Sequence, residues 1–295
     1  RSSGLFPTLT PGVLLLWSNR GQGLDVWVLP EWGAVPRFGT LSRYVAFAKN
    51  MADNGSEGPY RRILALRAVT QGTELAQAGR LIRFDLSSMR PVAEAQLRIG
   101  RIFLDLGKET QAEKEFARVV EKYDENPVVV GMAKLELIRL RRRRLLRQKL
   151  PLGELKRSLA ADVDRLEALR KDYTVPADET AAAPAGQVTK RTVAAEALVE
   201  LVRTSVALHQ YSHSLEMITE LLETYSDQRE ACAQALMLRA ETYRVLGEPK
   251  AVTDAYLAVL RQYGDLTEYK QKATGTLLST IVGEELESQE KLEML

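Results

Sequence analysis

The sequence predicts an all-α helical-repeat protein that carries a mostly irregular N-terminal arm. Three observations predict it. Gly107, Phe116 and Tyr123 recur as Gly247, Tyr256 and Tyr263, and each pair is displaced by 140 residues. Ala93 with Ala233, Phe103 with Tyr243, Leu106 with Leu246 and Val119 with Val259 keep that displacement. Self-similarity at a fixed offset marks stacked supersecondary units, which usually bind other proteins and rarely carry chemistry. From Leu41 onward the apolar residues fall at helical spacing. Residues 1 to 40 read differently: they hold Pro7, Pro11, Pro30, Pro36 and all three tryptophans, Trp17, Trp27 and Trp32.

Within the arm (1–40), Val13 to Trp17 and Leu24 to Leu29 read as two short strands around a Gly-rich turn. An isolated hairpin is marginal in water, so the arm must rest on something. Either it packs on the chain's own helices or it docks into a neighbouring subunit, with Trp17, Trp27 and Trp32 as anchors. The N-terminal helices and repeats (41–127) follow. Leu41 to Ala52 reads as a short helix, and Arg61 to Val69 and Thr73 to Leu86 flank Gly72 as a helix–turn–helix. Ser87 to Pro91 reads as a break, and helices over 92–106 and 109–123 meet at Gly107, where a left-handed residue ends the first.

A long hairpin occupies 128–173. Val128 to Leu150 and Leu152 to Tyr173 are separated by Pro151, and Leu152, Leu155, Leu159, Val163, Leu166 and Leu169 share one face. Residues 174–190, rich in Ala, Pro, Gly and Thr, read as a linker. Helices resume in 191–295, over about 191–209, 212–225, 230–246, 249–263 and 267–286.

The spacing inside each unit resembles the tetratricopeptide repeat. The family's marker positions fall on Gly100, Phe103, Gly107, Ala112 and Phe116, and again on Ala240, Tyr243, Gly247, Val252 and Tyr256. In the second set Arg239 stands where the pattern has Leu. A degenerate unit fits Ala195 to Tyr225, with Leu198, Leu201 and Ile218 in register, His209 in place of the turn glycine and Ser214 where Ala is usual. A fourth covers 57–87, with Ala76 in place. The ends Glu-Lys-Tyr123 and Leu-Glu-Thr-Tyr225 resemble the variety in bacterial periplasmic and outer-membrane assembly proteins, without the Pro expected after Tyr. The resemblance implies a right-handed solenoid and a periplasmic or membrane-associated setting.

It also implies a groove lined by first-helix residues: Glu94, Leu97, Arg101 and Leu104; Glu196, Val199, Arg203 and Val206; Gln234, Met237, Glu241 and Arg244. The set lacks the Lys/Asn clamp that chaperone-binding repeats use for a terminal carboxylate, so an apolar helix or extended segment fits better.

The strongest charge feature is a basic patch of Arg139, Arg141, Arg142, Arg143, Arg144, Arg147 and Lys149. Either it is an outer face balanced by Glu154, Asp162, Asp164 and Glu167, or it meets an acidic protein, an anionic membrane surface or nucleic acid. A net charge of only +2 and the lack of interleaved aromatics argue against nucleic acid.

No catalytic, cofactor or small-molecule motif is found. His209 and His213 lie four apart but span the expected turn, so capping or surface roles outweigh a metal. Cys232 is the single cysteine and reads as a buried structural thiol. No run approaches the ~18 apolar residues of a membrane span. The chain starts at Arg1 rather than Met, which leaves an upstream signal or anchor open.

The expected function is therefore a non-catalytic interaction scaffold, an accessory or assembly subunit whose partners are other protein subunits. The alternatives are a transient envelope assembly factor and, third, a nucleic-acid-binding regulator acting through the Arg-rich helix.

Overall fold

The computed structural model describes residues 90–175 and 188–279, three strands in the arm, Gly58 and helical positions scattered over 59–70. The expected helices at Leu41–Ala52 and Thr73–Leu86, Ala76, Trp32, the core of the linker and the end of the chain lie outside the described residues. The chain divides into two compact units, 1–140 and 141–295.

The described part is helical beyond the arm. In unit 1, α1 (Arg90–Asp105) packs on α2 (Glu109–Lys122). Then α3 (Pro127–Arg147) runs through the division. Unit 2 continues with α4 (Leu152–Tyr173), α5 (Lys190–Ala207), α6 (Tyr211–Thr224), α7 (Arg229–Leu246) and α8 (Pro249–Tyr263). A further helical run covers 267–279. Neighbours pack in order, α4 on α5, α5 on α6, α6 on α7 and α7 on α8, and α5 also packs on α7.

The arm, expected as mostly irregular with two strands, holds three. β1 (Leu5–Pro7), β2 (Val13–Trp17) and β3 (Leu24–Val28) form an antiparallel sheet in that order, with Phe6 opposite Leu15 and Leu14 opposite Trp27. A third strand suits an element whose two-stranded form is marginal.

Pro91, the last residue of the expected break, already belongs to the helix that follows it. It lies in the first turn of α1, where the missing N–H would have no intrahelical acceptor. Pro127 and Pro249 open α3 and α8 in the same way.

Three hairpins share one turn. Gly107, His209 and Gly247 follow their first helices with φ of 70°, 58° and 76°. At each, two backbone bonds close the helix end. Gly107 N–H donates to Leu104 O (2.9 Å) and Lys108 to Phe103 O (2.8 Å). His209 donates to Val206 O (3.0 Å) and Gln210 to Ser205 O (2.9 Å). Gly247 donates to Arg244 O (3.2 Å) and Glu248 to Tyr243 O (3.0 Å). This Schellman pattern satisfies carbonyls that the helix leaves open.

Each second helix ends at a buried tyrosine whose carbonyl accepts from the residue three on: Tyr123 from Asn126 (2.9 Å), Tyr225 from Gln228 (2.8 Å) and Tyr263 from Leu266 (2.9 Å).

The cores of the hairpins match in the same register. A Cβ on Gly100 would sit 2.4 Å from the Phe116 ring, so only glycine lets α2 place that ring there. The equivalent pairs are Val202 with Ile218 and Ala240 with Tyr256, all buried. At Gly100 the missing side chain makes room for the large Phe116 ring, which conserves volume at close packing.

On α4 the buried line is Leu155, Leu159, Asp162, Leu166, Leu169 and Tyr173. Leu152, expected on that face, is 48% exposed, and Asp162 takes the buried place expected for its half-buried neighbour Val163. The arginines that face Asp162, described below, account for this exchange.

Candidate partner-binding surface

The first helices of the hairpins present their outward faces very differently. On α1, Glu94, Arg101 and Leu104 are half-buried, and Leu97 is buried. On α5, Arg203 and Val206 are half-buried, while Glu196 and Val199 are buried. The expectation that Leu97, Glu196 and Val199 line an open groove is therefore corrected. α5 is flanked by α4, α6 and α7 at once, and no wide face of it remains for a ligand. On α7, Gln234 and Met237 are half-buried and Glu241 and Arg244 exposed. Their spacing of three and four puts them on one stripe. Of the expected groove, α7 retains the most accessible part.

Side chains from neighbouring helices border that stripe. Arg203 Nη2 donates to Gln234 Oε1 at 3.3 Å. Tyr269, hydrogen-bonded to Gln234, is pushed up to about 12 by burial, and the negative charges of Glu196, Glu230 and Glu268 add to the rise. Tyr269 is therefore a neutral phenol at physiological pH, presented beside three carboxylates.

Part of the basic patch is neutralised within the fold, at Arg139, Arg141 and Arg142. Arg142 is buried and pairs with the Glu200 carboxylate, and its Nη1 also donates to the Glu200 carbonyl at 3.2 Å. It is not a surface cation, which corrects its place in the patch. Arg141 reaches Asp162 at 3.3 Å, and Arg165 reaches the same oxygen at 3.0 Å. Burial raises the Asp162 carboxyl above its ordinary range, and Arg141, Arg165 and Arg142 oppose that rise. In unit 1, Arg139 pairs with Glu136 (3.3 Å), which also takes Arg101 Nε (2.9 Å). Arg143, Arg147 and Lys149 are exposed and Arg144 half-buried. Of the four carboxylates expected to balance the patch, Asp162 bridges to Arg141, whereas Glu167 lies 3.9 Å from Arg170 on its own helix.

A latch that sequence reasoning missed joins the ends of each tandem hairpin. Arg191, 6% exposed, opens α5 and reaches back to the end of α6. Its Nε donates to Asp227 at 2.7 Å, its Nη1 to the Val175 carbonyl at 3.0 Å and its Nη2 to the Thr224 carbonyl, and the guanidinium lies 4.9 Å from the Tyr225 ring centroid. Arg229 repeats the set 38 residues on, with Asp265, the Gln262 carbonyl (3.4 Å) and the Tyr263 ring (5.7 Å). A cation at a helix C-terminus satisfies open carbonyls and meets the favourable end of the dipole. The matching residue before α1 is Met89, so the pattern is not carried there. The available signal was Tyr-x-Asp after the second helix, at Tyr225 and Tyr263, together with arginines 38 residues apart.

His209 lies in the turn with its Nδ1 2.6 Å from the Tyr211 hydroxyl, and His213 sits on α6 3.5 Å from Glu216. The two rings thus do not share one continuous helix. Cys232 is buried, its thiol donating to the Tyr225 carbonyl at 3.2 Å, and burial raises its pKa. Tyr263 beside it is pushed up to about 12 by burial. Among the described residues no group of His, Cys, Asp and Glu is arranged to hold a metal, and no helix is long and apolar enough to cross a membrane. Trp17 and Trp27 fall in β2 and β3.

Scanned against known protein families, the chain matches none, and no curated protein matches it in sequence.

Proposed function

We propose that the chain is a non-catalytic interaction scaffold, an accessory or assembly subunit of a larger complex. Its hairpins are read as units of a right-handed solenoid of the tetratricopeptide type. What supports the reading is the same Schellman-closed hairpin at Gly107, His209 and Gly247, each second helix ending at a buried tyrosine. The tandem spacing of 38 residues, from Arg191 to Arg229 and from Tyr225 to Tyr263, exceeds the ~34 of the family by about one helical turn. Such repeats stack and leave a continuous surface for partners.

The partner surface is the α7 stripe of Gln234, Met237, Glu241 and Arg244, the widest accessible part of the first-helix faces in unit 2. A half-buried Met rimmed by a carboxylate and a guanidinium suits an amphipathic protein segment.

The test is native purification from the source followed by cross-linking and mass spectrometry. Companions in fixed ratio, cross-linked to α7 and released by Met237→Arg with Arg244→Glu, are the expected result. A chain that elutes alone under native conditions, with both substitutions silent, would overturn the proposal.

A further inference from the structure

We propose that the tip of the α3/α4 hairpin docks on the surface of an anionic lipid bilayer. Residues 143 to 157 carry six cations, Arg143, Arg144, Arg147, Lys149, Lys156 and Arg157, against the single acid Glu154. That is a net +5 in one tip, in a chain whose total is +2. Two leucines flank the turn in solvent: Leu146 is 41% exposed and Leu152 48%.

Among the described residues, one side of the tip is anchored on the fold, and Leu146 and Leu152 lie outside that contact. Leu155, Leu159 and Leu208 form a buried cluster, with Leu145 and Leu150 packed against it. Leu208 marks the turn that ends α5. The α5/α6 turn is therefore level with Leu155, and Leu152 lies three residues, about 4.5 Å, further out along α4. Leu146 shares a face with Arg143 at a spacing of three, and Leu152 shares one with Lys156 at a spacing of four. Arg143, Lys149 and Lys156 are exposed, and Arg157 commits its Nε to the Gly153 carbonyl at 3.3 Å.

Leucines that project from a turn within a collar of cations match a bilayer in both respects. The side chains enter the headgroup boundary, and the cations meet the negative surface potential. An acidic protein would satisfy the charges but would need a socket for two leucines on either side of one turn. The bilayer needs none.

The experiment is co-sedimentation of the full chain with vesicles of phosphatidylcholine alone and with about 30% phosphatidylserine, at low and moderate salt. Binding is expected only with phosphatidylserine, weakening as salt rises. Leu146→Ser with Leu152→Ser is expected to weaken it at least ~10-fold, because two exposed apolar side chains no longer insert. Arg143→Gln with Lys156→Gln should weaken it several-fold and flatten the salt dependence. All four positions are outside the core, and an unchanged thermal midpoint checks the fold. A polarity-sensitive dye on Gln148→Cys should shift to the blue with anionic vesicles only; the buried Cys232 is shielded from the label. No binding to phosphatidylserine vesicles, or binding that both variants retain, overturns the proposal.

Discussion

The hairpins α5/α6 and α7/α8 share a turn type, a first helix of 18 residues and an Arg–Tyr–Asp latch, yet they differ in burial. Thirteen residues of α5 are buried and eight of α7, so the same template yields a core element in one place and a surface element in the next. Neighbours decide which. α5 is sandwiched by α4 and α7 and also carries α6. Burial on all sides brings Glu200 into the interior, where a lone carboxylate is costly; the buried Arg142 meets it, and the more exposed Arg203 approaches it at 3.7 Å.

The largest effect expected from breaking this contrast is at that pair. Glu200→Ala leaves the Arg142 guanidinium buried without its carboxylate and should cost about 3–5 kcal/mol in denaturant unfolding. Glu241→Ala, on the exposed stripe of α7, should stay within ~0.5 kcal/mol. Joint replacement by Arg142→Met and Glu200→Leu should recover most of the loss, because the cost lies in the unpaired charge. A Glu200→Ala loss below ~1 kcal/mol would mean that Arg142 reaches water readily and that α5 is not enclosed as described.

The latches come next. Arg191 is 7% exposed in its side chain and Arg229 51%, although both face Asp, Tyr and a helix-end carbonyl. Arg191→Ala should cost about 2–4 kcal/mol, from a buried set of donors left unmade and a stacked cation lost. Arg229→Ala should cost under ~1 kcal/mol. Equal losses would show that latch geometry, not burial, sets the energy. Gly100→Ala follows at about 1–3 kcal/mol, because the new methyl meets the fully buried Phe116 ring. If Gly100→Ala is neutral, α1 and α2 slide freely, and the room left at Gly100 does not govern their packing.

What could be read from the sequence was local. Gly107 and Gly247 announce their turns because only a few adjacent residues set a helix end. His209 was placed by register alone, and its backbone takes the left-handed conformation of the glycines it replaces. The Gly100–Phe116 contact was legible because an empty position opposite a ring repeats in spacing. Arg142 with Glu200, and Arg191 with Asp227, were not. Their partners lie on other helices, 58 and 36 residues away, and local periodicity carries no information about which outward face a later helix will cover. The buried Glu196 and Val199 failed as groove residues for the same reason. Their spacing is correct for a first-helix face, and the covering helices were not visible in it.

Asp162 sharpens the account of buried charge. Burial raises its carboxyl, so the folded protein binds this proton at higher pH than the unfolded chain does. Stability from this group is therefore fully present below the unfolded value, and falls as pH rises through the raised folded value. Asp162→Asn removes that dependence. Relative to the parent, the variant should be better off by up to ~1 kcal/mol at neutral pH, and the difference should shrink on acidification. A deficit that grows with pH would show that Arg141 and Arg165 outweigh desolvation there.

The smallest effect expected is at the turns, where the two hairpins can exchange a residue type. His209 holds φ of 58°, which costs a residue with a side chain roughly 1–2 kcal/mol. Glycine removes that cost but adds freedom to the unfolded chain, worth about 0.4–1 kcal/mol the other way. It also gives up the exposed contact with the Tyr211 hydroxyl. His209→Gly should therefore stabilise by about 0.5 kcal/mol, and Gly247→Ala should destabilise by about 1 kcal/mol. Paired thermal melts would check both signs. A His209→Gly variant less stable than the parent would mean that the histidine earns its place through Tyr211, and that this turn differs in kind from the two glycine turns.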